Sequence, residues 1–306
     1  MANTIYEATL FASKSITATF DMVWAIDAGL WNFRQAATQY YQDHPNASPH
    51  EAKDALVSGR NIHGLNPKRI ALELTWDYEE QYVAELLLIN GIAIFDSWVD
   101  SFIDCAIVAQ SNNQKKKIKE AVKRGDFFEL DNALTSEITS TLSGYFHFTA
   151  QRQDAYINNL NLVYKYFKSC RNCCAHGNRT FSKIAETNYG AIKLMTKEDC
   201  GVKEFPQITE TVEGNPLKLF LRGVVGFYGI LIRIINHYDI MAADKKGVES
   251  EVIRRWSAIS SVQLPSSEMK RNRAVRNYMK SINMCPCYSA KTSDFCAFLL
   301  ANNSIS

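Results

Sequence analysis

The sequence has little that would mark a secreted or a strongly polyanion-binding protein. Its formal net charge is only +2, from 34 basic and 32 acidic residues in a chain of 306. Affinity for a polyanion must therefore come from local clusters of charge rather than from the field of the whole molecule. The opening stretch MANTIYEATLFASKSITATF lacks the basic start, the continuous apolar core and the small-residue cleavage site of a signal peptide. We expect a cytoplasmic protein.

Long uncharged apolar runs are also missing. The most apolar stretch, LKLFLRGVVGFYGILIRIINHY at 217–238, has only ten uncharged residues between Arg222 and Arg233, too few to cross a bilayer. It predicts a buried core helix, and we expect no membrane contact. The eight cysteines, without a secretory signal, are expected to be reduced thiols rather than a disulfide framework.

Alternation typical of β-strands is nearly absent, whereas helical periodicity recurs along the chain, so the predicted fold class is all-α. Residues 8–42 predict one or two helices. Ser48, Pro49 and Glu51 have the spacing of an N-cap, a first-turn proline and a capping carboxylate. The longest predicted helix runs from about Trp76 to Ala109, and its apolar residues recur at steps of four and three, the pattern of a continuous buried stripe: Leu88, Ile92, Phe95, Val99, Phe102 and Ala106.

The remaining segments are predicted less sharply. Residues 126–150 suggest a short helix and a turn, and another helix begins near Asp154. The segment 180–215 is mixed in character, and loop, hairpin and flap all remain open. After a PSS break at 265–267, two further helices are expected. The pattern divides the chain into an N-terminal helical region at 1–75, a helical bundle at 76–243 and a small basic helical segment at 244–306.

A basic cluster follows the longest predicted helix, in SNNQKKKIKEAVKRGD. It is either the solvated face of a helix or a surface that contacts RNA phosphates. A second basic stretch, MKRNRAVRNYMK, occupies 269–280. The candidate RNA-binding residues are Lys115, Lys116, Lys117, Lys119, Lys123, Arg124, Arg179, Arg271 and Arg273.

The stretch SCRNCCAHGNRTF at 169–181 carries the densest set of reactive side chains. Upstream, Ile157, Leu160, Tyr164 and Phe167 form an apolar stripe, and the same spacing continues onto Arg171 and then Cys174. A guanidinium on such a stripe has to be paired with a carboxylate or reserved for an anionic ligand.

Carboxylates for that role are available on the long predicted helix. Asp96, Asp100 and Asp104 are four residues apart. They are either a solvated acidic edge or partners for Arg171, with Asp96 and Asp100 as the candidate supporting residues.

The end of the predicted helix decides how the motif can work. Asn172 and His176 share one face of a helix, but Arg171 and His176 point about 140° apart on a regular one. A single phosphate can meet both only if the helix ends there, for which Gly177 is well placed, or if a second copy of the motif completes the site.

Three interpretations of the motif remain open. Cys170, Cys173, Cys174 and His176, with Cys285 and Cys287, include zinc-ligand types, although zinc pairs usually occupy turns and not helices. Alternatively, the histidine only hydrogen-bonds a carbonyl at the end of a core helix. In the third interpretation, the histidine moves a proton and the arginine stabilises charge during metal-free RNA cleavage.

The string Arg171-Asn172, three further residues and then His176 resembles the signature of the HEPN superfamily. RNCCAHGNR followed by a long apolar helix is similar to HEPN-type abortive-infection proteins of bacterial phage defence, across a helical context from roughly residue 80 to 240. The resemblance implies an all-α bundle, usually dimeric, that cuts RNA without a metal or another cofactor. It implies catalytic roles for Arg171 and His176, with Asn172 orienting the histidine, and a possible RNA or protein antitoxin.

One position departs from a subset of that family. Those toxins carry a tyrosine two residues after the histidine, which a partner nucleotidyltransferase modifies. Asn178 occupies the position in this chain, so silencing by that modification is not expected. A catalytically silent scaffold of the same fold, binding RNA or a protein partner, is the alternative function.

Overall fold

A computed structural model of the chain describes residues 4–57, 62–176, 178–258 and 264–302. Within these ranges the protein is helical and has no strand, which confirms the all-α prediction; the only β pairings there are isolated bridges. The helices are α1 (Glu7–Asp43), α2 (Pro49–Leu56), α3 (Trp76–Ala106), α4 (Asn112–Lys123), α5 (Phe128–Ser136), α6 (Ile157–His176), α7 (Lys183–Ile192), α8 (Leu221–Ala242), α9 (Gly247–Ser257), α10 (Glu268–Ser281) and α11 (Thr292–Ala301). A short π-helix (Arg69–Glu73) precedes α3, and a 3-10 turn (Ser289–Lys291) precedes α11.

The core lies where α3, α6 and α8 pack together. The stripes predicted from the sequence are confirmed, because all of the following residues are buried in one cluster: Leu88, Phe95, Val99, Ile157, Leu160, Tyr164 and Phe167. Phe95 and Tyr164 lie 4.7 Å apart between ring centroids, and Phe167 stacks on Phe227 at 4.5 Å. Aromatic pairs at such distances add about 0.5–1.5 kcal/mol each beyond the area they bury.

A glycine sets the closest approach of α3 to α8. A Cβ at Gly91 would lie 2.7 Å from the Tyr228 ring, which is closer than two carbons can pack. The bare backbone lets the Tyr228 hydroxyl donate to the Leu87 carbonyl at 2.8 Å. The two helices are therefore held together by a buried hydrogen bond as well as by apolar contact.

Local signals in the sequence also set helix ends. Ser48 and Glu51 form the reciprocal capping box at the start of α2, with Pro49 in the first turn, as predicted. In the segment left open between loop, hairpin and flap, 183–192 is helical and the rest has no regular secondary structure. The stretch YGAIKLM at 189–195 is rich in residues that favour strands, but it forms none, because its first residues complete α7.

The main hydrophobic cluster draws on all three regions of the chain. It includes Ile5 and Ile16 near the N-terminus and Met284 and Phe295 near the C-terminus, besides the central helices. A second, smaller cluster joins α1, α2 and the π-helix through Ala37, Tyr41, Ala52 and Ala71. The first part of α1 and the chain after 243 are therefore packed into the same core as the bundle, whereas the end of α1, α2 and the π-helix form the second cluster.

One described helix, α3, is long and apolar enough to cross a bilayer by length and composition, and half of its most apolar window is buried in the protein. Core helices of folded proteins satisfy the same criterion. Its buried side packs on α8 and α6, whereas its other side lies beside α1.

Buried polar side chains tie the N-terminal segment to the end of α8. The Asp239 carboxylate accepts hydrogen bonds from the backbone N–H groups of Ile5 (2.9 Å) and Tyr6 (3.1 Å). Arg255 donates to the carbonyls of Thr4 (3.2 Å), Ile5 (2.6 Å) and Ile282. Residues 4–6 are thereby held between α8, α9 and the chain after α10.

Candidate functional site

The motif at the end of α6 lies on a helix that is buried on most of its surface. Cys170 and Cys173 face the core, whereas Arg171 is half-buried and Asn172 and His176 are exposed. The helix remains regular through His176. Gly177, which was expected to end it, lies outside the described residues.

The backbone turns sharply just beyond the helix. Asn178 and Arg179 both have left-handed φ angles, +51° and +60°, which non-glycine residues adopt uncommonly. The Arg179 N–H donates to the Cys173 carbonyl at 3.3 Å, and its carbonyl accepts from the Leu217 N–H at 2.8 Å. These bonds direct the chain away from the helix axis and leave the last turn of α6 uncovered at His176.

Arg179 was predicted to contact RNA, but it has partners within the chain. Its guanidinium lies 2.6 Å from the buried Glu85 carboxylate and over the rings of Tyr78 and Tyr82, at 5.6 and 5.5 Å. Hydrogen bonding to Glu85 raises the pKa of Arg179. The residue therefore anchors the turn after α6 to α3.

Arg171, by contrast, lacks a carboxylate partner among the described residues. One of its terminal nitrogens donates to the Asn172 side-chain oxygen at 3.1 Å, and its Nε is buried without a hydrogen-bond partner. A guanidinium keeps its charge at all accessible pH values. The end of α6 therefore presents an unneutralised positive charge.

The carboxylates proposed to support Arg171 pair with lysines instead. Lys168 is one turn earlier on α6 and lies 2.9 Å from Asp96. Lys123 of α4 lies 2.6 Å from Asp100. Arg171 does not pair with Asp96 because Lys168 occupies the turn of α6 that faces it, and α4 covers the next turn of α3.

His176 is an exposed imidazole, and the described residues give it no hydrogen-bond partner. Because α6 continues as a helix to His176, Arg171 and His176 diverge by about 140° around its axis, whereas Asn172 and His176 lie on the same side. Asn172 lies between the two other residues of the motif: its side chain contacts the Arg171 guanidinium, and it is on the same side of the helix as the His176 imidazole. One copy of the motif does not converge on a single phosphate.

The basic residues of α4 and of its C-terminal end fall into two sets according to their partners. Lys119 and Lys123 pair with Asp104 and Asp100 at 2.6 Å, and the Lys115 ammonium donates to the Asp104 carbonyl at 3.0 Å. The residues of the other set are exposed and have no ion pair among the described residues: Lys116, Lys117 and Arg124. This second set therefore carries exposed charge that no carboxylate of α3 compensates.

The two arginines predicted in the C-terminal segment also differ. Arg273 is exposed on α10. Arg271 is half-buried, its Nε has no hydrogen-bond partner, and its charge acts on the Cys296 thiol of α11, where it opposes the rise in pKa that burial causes. Of the two, Arg273 is the more accessible to a polyanion.

The thiols of the motif behave as packing residues. Burial raises the pKa of Cys174 to about 12 and raises the pKa of Cys170 further, so both are neutral thiols packed in the fold. Cys285 and Cys287 are buried in a separate part of the core. Throughout the described ranges, no group of three or more His, Cys, Asp or Glu side chains is arranged to hold a metal ion.

Sequence reasoning missed the buried polar group on α8. His237 accepts a hydrogen bond from the Gln153 N–H at 3.1 Å, and burial lowers the pKa of this imidazole to about 4. Burial raises the pKa of Asp239 to about 6. The signal was the polar string Asn-His-Tyr-Asp at the end of an apolar helix, where polar side chains require partners.

Comparison of the chain with protein-family models, with curated proteins and with solved structures finds no match.

Proposed function

We propose that the protein is a metal-independent endoribonuclease of the HEPN type, acting as a homodimer in phage defence or as a toxin. The observation that carries the proposal is the combination at the end of α6 of an Arg171 guanidinium without a carboxylate, its contact with Asn172, and the exposed His176. A structural arginine in a folded core is normally neutralised by hydrogen bonds or ion pairs. An uncompensated guanidinium at the same helix end as an exposed imidazole suits a phosphate ligand that is shared between two copies of the motif.

In the proposed reaction, the 2′-hydroxyl of the RNA attacks the adjacent phosphate, and the bond from phosphorus to the 5′-oxygen of the next nucleotide breaks. His176 transfers a proton as general acid or base, and Arg171 stabilises the added negative charge. The products carry a 2′,3′-cyclic phosphate and a 5′-hydroxyl. The nucleophile belongs to the substrate, so no cofactor is required.

Two copies are needed because of the divergence around α6. Arg171 and His176 of one helix point about 140° apart, but a two-fold axis near the ends of two α6 helices brings the arginine of one copy towards the histidine of the other. The exposed Lys116, Lys117, Arg124 and Arg273 are the residues proposed to hold the RNA backbone.

The experiment compares wild type, Arg171→Ala, His176→Ala and the control His50→Ala, which removes an exposed imidazole from α2. We expect both motif variants to lose cleavage of a mixed RNA substrate, with and without chelator, and the control to retain it. Cleavage that persists in His176→Ala, or that chelator alone abolishes, contradicts the mechanism.

Mixing the two inactive variants tests the shared site. In a mixed dimer, one composite site regains both wild-type residues, so activity should return to about a quarter of the wild-type value if subunits exchange freely. A site contained within one copy predicts no recovery.

The same divergence favours a second candidate, a silent scaffold that binds RNA or a protein through this surface. Loss of RNA binding in Arg171→Ala, with no cleavage by the wild type under any condition, would select it.

A further inference from the structure

A long groove runs between α1 and α3, on the side of α3 that faces away from α6. Two cavities of about 750 and 400 Å³ lie along it and share Asn90. The first is lined by Phe11 and Ser101, the second by Met22 and Leu86, so the two helices run antiparallel. From Ala8 to Ile26 the groove extends about 27 Å, at about 1.5 Å per helical residue.

The second cavity is apolar and open to solvent. Its lining includes Met22, Ile26 and Leu86, which are 57%, 50% and 57% exposed. Large apolar side chains left this exposed in a contiguous strip are typical of interaction sites rather than of free surface. Asn90 is the main polar residue in the strip.

Acidic side chains follow the lining residues at one end of the groove, since Asp27 is next to Ile26 on α1 and Glu80 is one turn before Val83 on α3. Burial raises the pKa of Asp27, and Glu80 has a raised pKa because of burial and of the neighbouring charges of Asp27 and Asp77. The Asp27 Oδ1 atom is buried and has no hydrogen-bond partner among the described residues. Asp27 and Glu80 also form no ion pair in these ranges, so the acidic end carries negative charge without compensation.

We propose that this groove binds an amphipathic helix of another protein, whose apolar stripe lies on Met22, Ile26 and Leu86 and whose lysine or arginine meets Asp27 and Glu80. A groove of this length accommodates a helix of about 18 residues. The set Arg171, Asn172 and His176 contributes nothing to its lining, so the site is independent of the proposed nuclease reaction.

The charges favour such a partner over two other occupants. An anionic lipid surface would be repelled by the acidic end. Among the described residues, the basic helices of a second copy bury the apolar stripes that could enter the groove: Ile118 and Val122 in α4, and Val275 and Met279 in α10.

The probes are three fluorescent helical peptides of about 18 residues with the same leucine stripe at i, i+3, i+4 and i+7. One carries two lysines at the end that meets Asp27, one carries glutamates there, and one carries glutamines. We expect the lysine peptide to bind wild type about tenfold or more tightly than the glutamate peptide. Anisotropy titrations measure the dissociation constants.

Variants of the protein separate the apolar from the acidic contribution. Leu86→Lys should abolish binding of the lysine and glutamine peptides, while the matched control Leu194→Lys, which alters an exposed leucine outside the groove, leaves it unchanged. Asp27→Asn with Glu80→Gln should weaken only the lysine peptide, by about tenfold. Met22→Gln is a milder groove variant in case Leu86→Lys fails to fold, and circular dichroism checks each variant.

Several results would overturn the proposal. If the lysine and glutamate peptides bind equally tightly, Asp27 and Glu80 do not select a basic partner. If no peptide binds, the groove is not a binding site for such a helix. If sedimentation shows a dimer that Leu86→Lys converts to a monomer, the occupant is a second copy. If vesicles containing phosphatidylserine bind wild type but not Leu86→Lys, the occupant is lipid.

Discussion

Two places in the molecule hold the same kinds of side chain under opposite conditions. At the end of α8 and the start of the chain, Arg255 and Asp239 are buried, and hydrogen bonds to backbone groups satisfy both. At the end of α6, Arg171 has one side-chain hydrogen bond among the described residues, to Asn172, and His176 is exposed. Residue type alone does not separate the two places, whereas the hydrogen-bond partners do. A polar side chain whose bonding capacity is used within the fold serves stability, whereas one left unused is available to a ligand.

The largest expected effect tests the α6 side of that comparison. His176→Ala should reduce the rate of RNA cleavage by a factor of about 10² to 10⁴, the usual value of positioned proton transfer, without changing the urea midpoint of unfolding. Initial rates and unfolding curves on one preparation measure both. A variant that unfolds earlier in urea would mean that His176 is structural.

The next effect concerns stability and compares the two arginines. Arg255→Ala should lower the free energy of unfolding by about 3–5 kcal/mol, because it leaves the Thr4, Ile5 and Ile282 carbonyls without their donor in a buried site. Arg171→Ala should cost much less, since no carboxylate among the described residues depends on it. The sequence left open whether Asp96 pairs with Arg171, and in the structure Asp96 pairs with Lys168. Equal destabilisation of the two variants would contradict the distinction.

A smaller effect should appear in the pH dependence of stability. The folded pKa of His237, about 4, lies below its ordinary value of 6.5, so the unfolded chain takes up the proton first. The contribution of neutral His237 to the free energy of unfolding is complete above pH 6.5. It falls by roughly 3 kcal/mol as the pH is lowered towards 4.

Asp239 acts in the opposite direction. Its folded pKa of about 6 exceeds the usual 3.8. The contribution of protonated Asp239 to the free energy of unfolding is therefore complete below pH 3.8 and is lost as the pH rises through 6. The two contributions oppose each other between pH 4 and 6. In His237→Asn, which keeps an acceptor for the Gln153 N–H, only the Asp239 contribution remains, so the free energy of unfolding should fall as the pH rises from 4 to 6. Parallel curves for the variant and wild type would show that His237 does not titrate as proposed.

The two sets of basic residues of α4 should differ in their contribution to RNA binding. Changing the exposed Lys116, Lys117 and Arg124 to glutamine should flatten the salt dependence of RNA binding, with the slope falling by roughly one for each phosphate that is no longer neutralised. The same change at Lys115, Lys119 and Lys123 should do less, because carboxylates of α3 already pair with Lys119 and Lys123, and Lys115 is held by a hydrogen bond to the Asp104 carbonyl. If the second triple variant flattens the salt dependence more than the first, the RNA contacts Lys115, Lys119 and Lys123 instead.

The smallest effect belongs to a single surface pair. Asp100→Asn removes the ion pair with Lys123, whose side chains are 50% and 31% exposed. Solvent-exposed pairs of this kind are worth about 0–1 kcal/mol, so the urea midpoint should hardly move. A destabilisation well above that range would show that Asp100 stabilises the fold as a buried carboxylate such as Asp239 does.

Several features could be predicted from the sequence because they depend on neighbours along the chain. The stripe of Leu88, Phe95 and Val99 and the capping box of Ser48 and Glu51 follow from helical spacing alone, and both are confirmed. The burial of Ile157 to Phe167 follows in the same way. Such features require no knowledge of which helix packs against which.

The partners of Arg171 could not be obtained in this way. Whether Asp96 reaches Lys168 or Arg171 depends on the rotation of α6 against α3, and the pairing of Asp100 depends on where α4 returns. The same holds for Arg179, whose contact with Glu85 spans 94 positions of sequence. Tertiary contact sets these pairings, so a sequence pattern proposes the residues of a site but not their state.

The anchoring of residues 4–6 by Asp239 and Arg255 has a consequence for synthesis on the ribosome. The Ile5 and Tyr6 amides leave the ribosome early, but their acceptor on Asp239 is 234 and 233 positions later. At about 5–20 residues per second, the wait is roughly 10 to 50 seconds. During that time α1 exists without the contacts that fix its beginning, and the C-terminal partner Ile282 arrives later still. The nascent chain can close its core only when translation is nearly complete, so premature termination anywhere before α9 would release a chain in which Arg255 is missing and the start of the first helix is not fully anchored.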